Sequence, residues 1–120
     1  MARTLHVEGY DELQEALQDN QGEVIFVLFS GSLGADGQSW CPDCVKADPV
    51  VEECLQFAPQ SSLLIHCGVG DRPFWKDTSN VFRKKLGIKC VPTLLRWGKG
   101  QKLEAGDCAE KGLVRMLFED

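Results

Sequence analysis

Trp40-Cys41-Pro42-Asp43-Cys44 sets two thiols one helical turn apart, at the point where a buried-looking run, Val24 to Phe29, has passed through a glycine-bearing loop into a helix. A cysteine at a helix start meets unpaired backbone N–H groups and the positive end of the helix dipole, so its thiolate is favoured and it becomes a nucleophile near neutral pH. Pro42 suits the first helical position, where a missing N–H costs nothing, and this places Cys41 near the cap. Cys44 falls within the first turn, better shielded and in position to close a disulfide. Zinc sites use the same C-x-x-C spacing, so this stretch alone leaves redox and metal chemistry both open.

A second motif decides between them. Val91-Pro92-Thr93 opens the apolar stretch Thr93-Leu94-Leu95, after a helix that Gly87 ends. Proline cannot donate to a sheet ladder, so Pro92 belongs at a strand start. Trp-Cys-x-x-Cys, the proline at position 49, and Gly-Ile-x-x-Val-Pro-Thr-Leu-Leu (Gly87 to Leu95) together resemble the thioredoxin family, in family order. The resemblance is nearer to a branch of that family whose motif is Cys-Pro-Asp-Cys and which carries a Phe/Tyr-Trp-Lys-Asp segment, here Phe74 to Asp77, and it covers nearly the whole chain.

The resemblance implies an α/β thioredoxin fold, a central mixed β-sheet flanked by helices on both faces, as one domain over 1–120. It implies a disulfide reductase in which Cys41 is the nucleophile and Cys44 the resolving thiol, acting in cell redox homeostasis. It further implies that no cofactor is bound and that the redox-active pair is reduced by NADPH through a thioredoxin reductase, which would be a partner. Cystine, selected protein disulfides, and persulfidated or nitrosylated thiols are the implied substrates. Pro92 resembles the family's cis-proline, which leaves the Val91 backbone free to pair with an extended substrate, so Val91, Pro92 and Thr93 are expected along the substrate groove. The same proline is expected to keep metal from the two thiols.

Three positions depart from the common thioredoxin pattern. Asp43 replaces the usual residue of the Gly-Pro pair. Its carboxylate raises a neighbouring thiolate's pKa by repulsion and is itself favoured in a first helical turn, and it is expected to repel acidic substrate surfaces. Leu28 stands where many relatives carry a buried Asp that helps deprotonate the resolving cysteine. The loop Gly31 to Ser39 is longer than usual. All three point to a restricted reductase. Trp40 is expected to shield the thiols and contact substrate, whereas Phe74 and Trp75 are expected to anchor a loop. Cys90, two residues before Pro92, is a candidate regulatory thiol at the groove rim. Cys54 and Cys67 fall on buried stripes as inert thiols, Cys108 carries no further signal, and His6 and His66 read as isolated structural imidazoles.

At 120 residues the chain can bury one core without disulfide staples, which bears on how its six cysteines are used. With 13 basic against 18 acidic side chains and no long basic run, the charge argues against nucleic acid and anionic membranes as partners. The chain is expected to act as a monomer. The N-terminal residues reach a charge before any apolar block forms, and no stretch nears membrane-spanning length. Together with the cysteine usage this predicts a cytoplasmic protein.

Helical spacing of Tyr10, Leu13, Ala16 and Leu17 predicts a first helix, and Val24 to Phe29 a strand buried on both faces. Ala47, Val50, Val51, Cys54, Leu55 and Ala58 predict an amphipathic helix kinked at Pro49. Leu63-Leu64-Ile65 reads as a second buried strand, followed by a polar loop from Gly70 to Asp77 and a short helix bearing Val81, Phe82 and Leu86. Beyond Pro92 a hairpin turns at Gly98-Lys99-Gly100, and a last helix is expected to begin at Asp107 and to present Ala109, Leu113 and Leu117. Two rival readings fit the sequence less well. A glutaredoxin-like activity lacks a Gly-Gly signature after the hairpin, and a non-enzymatic binding module leaves the retained Cys41, Cys44 and Trp40 unexplained.

Overall fold

The strand that begins at Ile25 is buried at every position, and the molecule is layered around it. The computed structural model of the protein describes residues 2–119, so of the expected 1–120 domain Met1 and Asp120 lie outside the described residues. In chain order the elements are β1 (Arg3–Glu8), α1 (Gly9–Asp19), β2 (Ile25–Ser30), α2 (Pro42–Cys54), β3 (Leu63–Gly68), α3 (Arg72–Lys76), α4 (Val81–Leu86), β4 (Thr93–Arg96), β5 (Lys102–Glu104) and α5 (Lys111–Glu119). The five strands form one mixed sheet in the order β1-β3-β2-β4-β5, with β1 and β2 parallel to β3, and β4 antiparallel to both β2 and β5.

Because side chains alternate across a strand, β2 feeds two cores. Ile25, Val27 and Phe29 meet Leu13, Ala16 and Leu17 of α1 together with Trp75 and Phe82. Phe26 and Leu28 face the other way, onto Ala47, Val51 and Cys54 of α2 and Val114, Leu117 and Phe118 of α5. Phe26 and Phe118 meet edge to face at 4.9 Å, a geometry aromatic quadrupoles favour. Helices therefore cover both faces, as expected, and the sheet leaves the C-terminal ends of β2 and β3 beside the start of α2.

Three local expectations need correction. Arg3–Glu8 is a strand that the sequence did not disclose, since only Val7 along it is buried. The Gly70–Asp77 loop contains one helical segment, α3, because the Asp71 carboxylate accepts the Phe74 N–H at 3.0 Å and Pro73 suits the first turn. The last helix starts later than Asp107: residues Ala105–Ala109 form a 3₁₀ turn, and an extended Glu110 separates it from α5. The phase shifts accordingly, so Val114, Leu117 and Phe118 are buried while Leu113 is exposed. Among the described residues, no helix is long and apolar enough to cross a membrane.

Candidate active site

Cys41 is the N-cap residue of α2, with extended backbone (φ −96°, ψ 109°), and its sulfur accepts the Cys44 N–H at 3.2 Å. This is one of the first-turn N–H groups that no helical carbonyl can reach, so the helix offers it to the sulfur. From the other side the Cys41 thiol donates to the Val91 carbonyl at 3.6 Å. The Val91–Pro92 bond is cis, as the resemblance implied. Cys41 retains 5% exposure and Cys44 none, so the outer thiol is the one that a substrate reaches.

Burial pushes the Cys44 thiol well above its ordinary range, and its hydrogen bond with Cys41 adds to the rise; contacts from Ser30 and the Gly31 backbone oppose it. The Gly31 N–H reaches the Cys44 sulfur at 3.5 Å. The Ser30 hydroxyl is fully buried and makes no hydrogen bond of ordinary geometry, yet it stands close enough to the Cys44 sulfur to favour its thiolate. These two groups, at the end of β2, occupy the neighbourhood where an acid was missing; Leu28 itself is sealed in the core under α2. Sequence reasoning passed over Ser30 because a serine after an apolar run looks like a strand ending.

Trp40 is held on both sides. Its indole N–H donates to the Gly70 carbonyl at 2.9 Å, and its ring lies so close to Gly31 that a Cβ there would come within 2.7 Å of it. A groove opens beside Cys41, bounded by Trp40, Pro42, Trp75, Cys90 and Val91. Pro92 and Thr93 are buried behind Val91 and do not line it. The Thr93 hydroxyl instead donates to the Cys90 carbonyl at 2.7 Å and fixes the turn that presents Val91. Cys90 is part-exposed at the rim, where the sequence placed it.

Asp43 is exposed on the first turn of α2 and lies outside the groove lining, where Arg72, Lys76, Arg83 and Lys89 supply the charge. The expected repulsion of acidic substrates by Asp43 is therefore opposed by the groove itself. Trp75 is the anchor anticipated, at 5% exposure, with the Arg83 guanidinium 4.1 Å above its ring, whereas Phe74 is 46% exposed.

The remaining thiols are interior. Burial raises Cys67 and Cys108 to about 12 and raises Cys54 as well. Cys108, silent in the sequence, donates to the Leu103 and Pro92 carbonyls at 3.3 and 3.7 Å and so ties the 3₁₀ turn beneath the Pro92 loop. The two histidines are not isolated. His6 and His66 pair across β1 and β3 with rings 5.1 Å apart, and His66 Nε2 lies 3.4 Å from Asp48 Oδ2 in a separate cleft that also receives Glu8, Glu12 and Glu52. Among the described residues, no group of three or more His, Cys, Asp or Glu side chains is placed to hold a metal ion.

A family profile described as thioredoxin domain-containing protein 17-like, thioredoxin domain, matches residues 6–120. The chain belongs to that family. It is 50% identical to thioredoxin domain-containing protein 17 of Danio rerio and 46% identical to that of Homo sapiens, each over 95% of this chain and 93% of the relative. It is 39% identical to the thioredoxin-like protein Clot of Arabidopsis thaliana over 71% of this chain and 67% of that one. In fold it is similar to a Schistosoma mansoni thioredoxin (TM-score 0.60, 15% identity, 98% and 97% of the two chains covered). It is likewise similar to thioredoxin O1 of Arabidopsis thaliana (TM-score 0.59, 20% identity, 96% and 97% covered). Membership in the thioredoxin domain-containing protein 17-like family places the chain among thioredoxin-like thiol–disulfide oxidoreductases, which work through cysteines and not through a bound cofactor.

Proposed function

We propose that this protein is a disulfide reductase in which Cys41 attacks and Cys44 resolves. The observation that carries this reading is the Cys41 sulfur at the N-cap of α2, 3.2 Å from the Cys44 N–H and reachable from the groove, above a Cys44 that is fully enclosed. The Cys41 thiolate attacks one sulfur of the substrate disulfide; a mixed disulfide forms, the substrate S–S bond breaks, and the departing thiolate takes a proton from solvent. Cys44 then loses its proton and attacks Cys41 Sγ, closing the Cys41–Cys44 disulfide and releasing the second substrate thiol. Two electrons have passed to substrate. We propose that they are restored by NADPH through a thioredoxin reductase partner, in the cytoplasm, as the family resemblance implies.

The Val91 carbonyl, beside the nucleophile, is positioned to pair with the backbone of an extended substrate, as added strands do elsewhere. Cystine and other small disulfides are the proposed preferred substrates, with selected protein disulfides and persulfidated or nitrosylated thiols behind them, since Trp40 walls the groove beside Cys41. An NADPH-consumption assay with thioredoxin reductase tests this: rapid turnover of cystine and slow turnover of a bulky protein disulfide are expected. Binding of partner proteins with no NADPH consumption on any disulfide would instead identify a non-enzymatic binding module.

A further inference from the structure

The groove beside Cys41 is basic in a chain whose formal net charge is −5. Four cations line it, and they are not equivalent. Arg83 is committed to structure: its guanidinium lies over Trp75 and donates to the Trp75 and Lys89 carbonyls at 3.1 and 3.2 Å. Arg72, Lys76 and Lys89 are exposed, and no ion pair or hydrogen bond engages their side chains among the described residues. Of the nearest acids in sequence, Asp71 accepts the Phe74 N–H and Asp77 accepts the Ser79 N–H, and neither lines the groove. Three unpaired cations on a concave wall raise the local concentration of anions and speed their arrival. They also favour the thiolate that departs when a substrate disulfide is opened, because negative charge grows there in the transition state.

We propose that Arg72, Lys76 and Lys89 make this site selective for disulfides flanked by carboxylates. The proposal deepens the reductase reading and rests on it. The recognised chemistry is a carboxylate within a few bonds of the disulfide, and either a small dicarboxylic disulfide or an acidic peptide supplies it. Arg83 contributes by keeping Trp75 and the Lys89 backbone in place, so that the wall carrying the other three cations is rigid.

The test follows single-turnover oxidation of the pre-reduced protein, with no electron donor present, by 3,3′-dithiodipropionate and by cystamine, a dianion and a dication of similar size. Leaving thiols differ in acidity, so the readout is how each rate changes between the parent and an Arg72→Gln/Lys76→Gln/Lys89→Gln variant. The dianion should lose on the order of tenfold in the variant, and the dication should gain; added salt should shrink the parent's preference in the same way. Equal changes with both disulfides, or a salt-independent ratio, would overturn the proposal while leaving exchange itself intact. A parent protein oxidised by neither compound would overturn the reductase reading first. A second pair, disulfide peptides flanked by Glu or by Lys, separates the sources: a matching preference extends the selectivity to acidic proteins, and a preference confined to the small pair assigns it to small dicarboxylates.

Discussion

Helix α2 carries a cysteine at each end. Cys41 caps the N-terminal end, where its sulfur receives an N–H, faces the Val91 carbonyl and opens on a cationic groove. Cys54 closes the C-terminal end at 2% exposure, where it donates to the Lys111 carbonyl at 3.8 Å; burial, with the neighbouring Glu53 carboxylate, raises its pKa. The helix is the same and the residue is the same. What differs is the polarity of the backbone at the two ends, donors at one and acceptors at the other, and the charge of the surroundings. Reactivity here belongs to a position in the fold, and the count of six thiols says little about how many of them do chemistry.

The comparison breaks most visibly by substitution. Cys41→Ser should bring disulfide turnover to the uncatalysed background, while Cys54→Ala should leave turnover at the parent value and cost about 1–2 kcal/mol of stability, as a small buried truncation does. Coupled NADPH assays and chemical denaturation of the two variants provide the contrast.

A smaller effect concerns the interior thiols as a class. Cys67 and Cys108 stand near 12 in the folded chain against an ordinary 9.0, so both states hold these protons below pH 9 and the folded state alone retains them above it. Stability is therefore fully present below about pH 9 and falls as pH rises toward 12, by about 1.4 kcal/mol per pH unit for each thiol. Denaturation midpoints at pH 8 and pH 10 should show this fall, and Cys67→Ala should make it shallower. An unchanged slope in that variant would mean that the alkaline loss lies elsewhere. The smallest effect belongs to Ser30. Ser30→Ala should slow resolution of the mixed disulfide about threefold, the loss of one weak polar contact to a developing thiolate, without changing the initial attack by Cys41. Rapid-quench measurement of the two steps separates them.

The parts of the fold that local chemistry marks strongly were legible. Pro42 after Cys41, Gly87 in the left-handed conformation at the end of α4 and the β2 run each announce an element by a single physical requirement. β1 was not legible, because Arg3 to His6 lie exposed and its pairing with β3 is made by backbone groups that any sequence supplies. The phase of α5 was missed because Asp107 and Glu110 imitate a capping box while Glu110 is in fact extended. At the site, Cys41, Cys44 and the cis Val91–Pro92 bond could be named from spacing and resemblance. The cationic wall could not, since Arg72, Lys76, Arg83 and Lys89 are scattered over two helices and a loop and converge only in three dimensions.

The most direct test of the division of labour within Cys41-Pro42-Asp43-Cys44 is peptide mapping by mass spectrometry after reduced Cys44→Ser and Cys41→Ser variants are each exposed to a small disulfide. The account predicts a stable mixed disulfide on Cys41 in the Cys44→Ser protein and no comparable adduct on Cys44 in the Cys41→Ser protein. An adduct on Cys44 in the second variant, with none on Cys41 in the first, would contradict it.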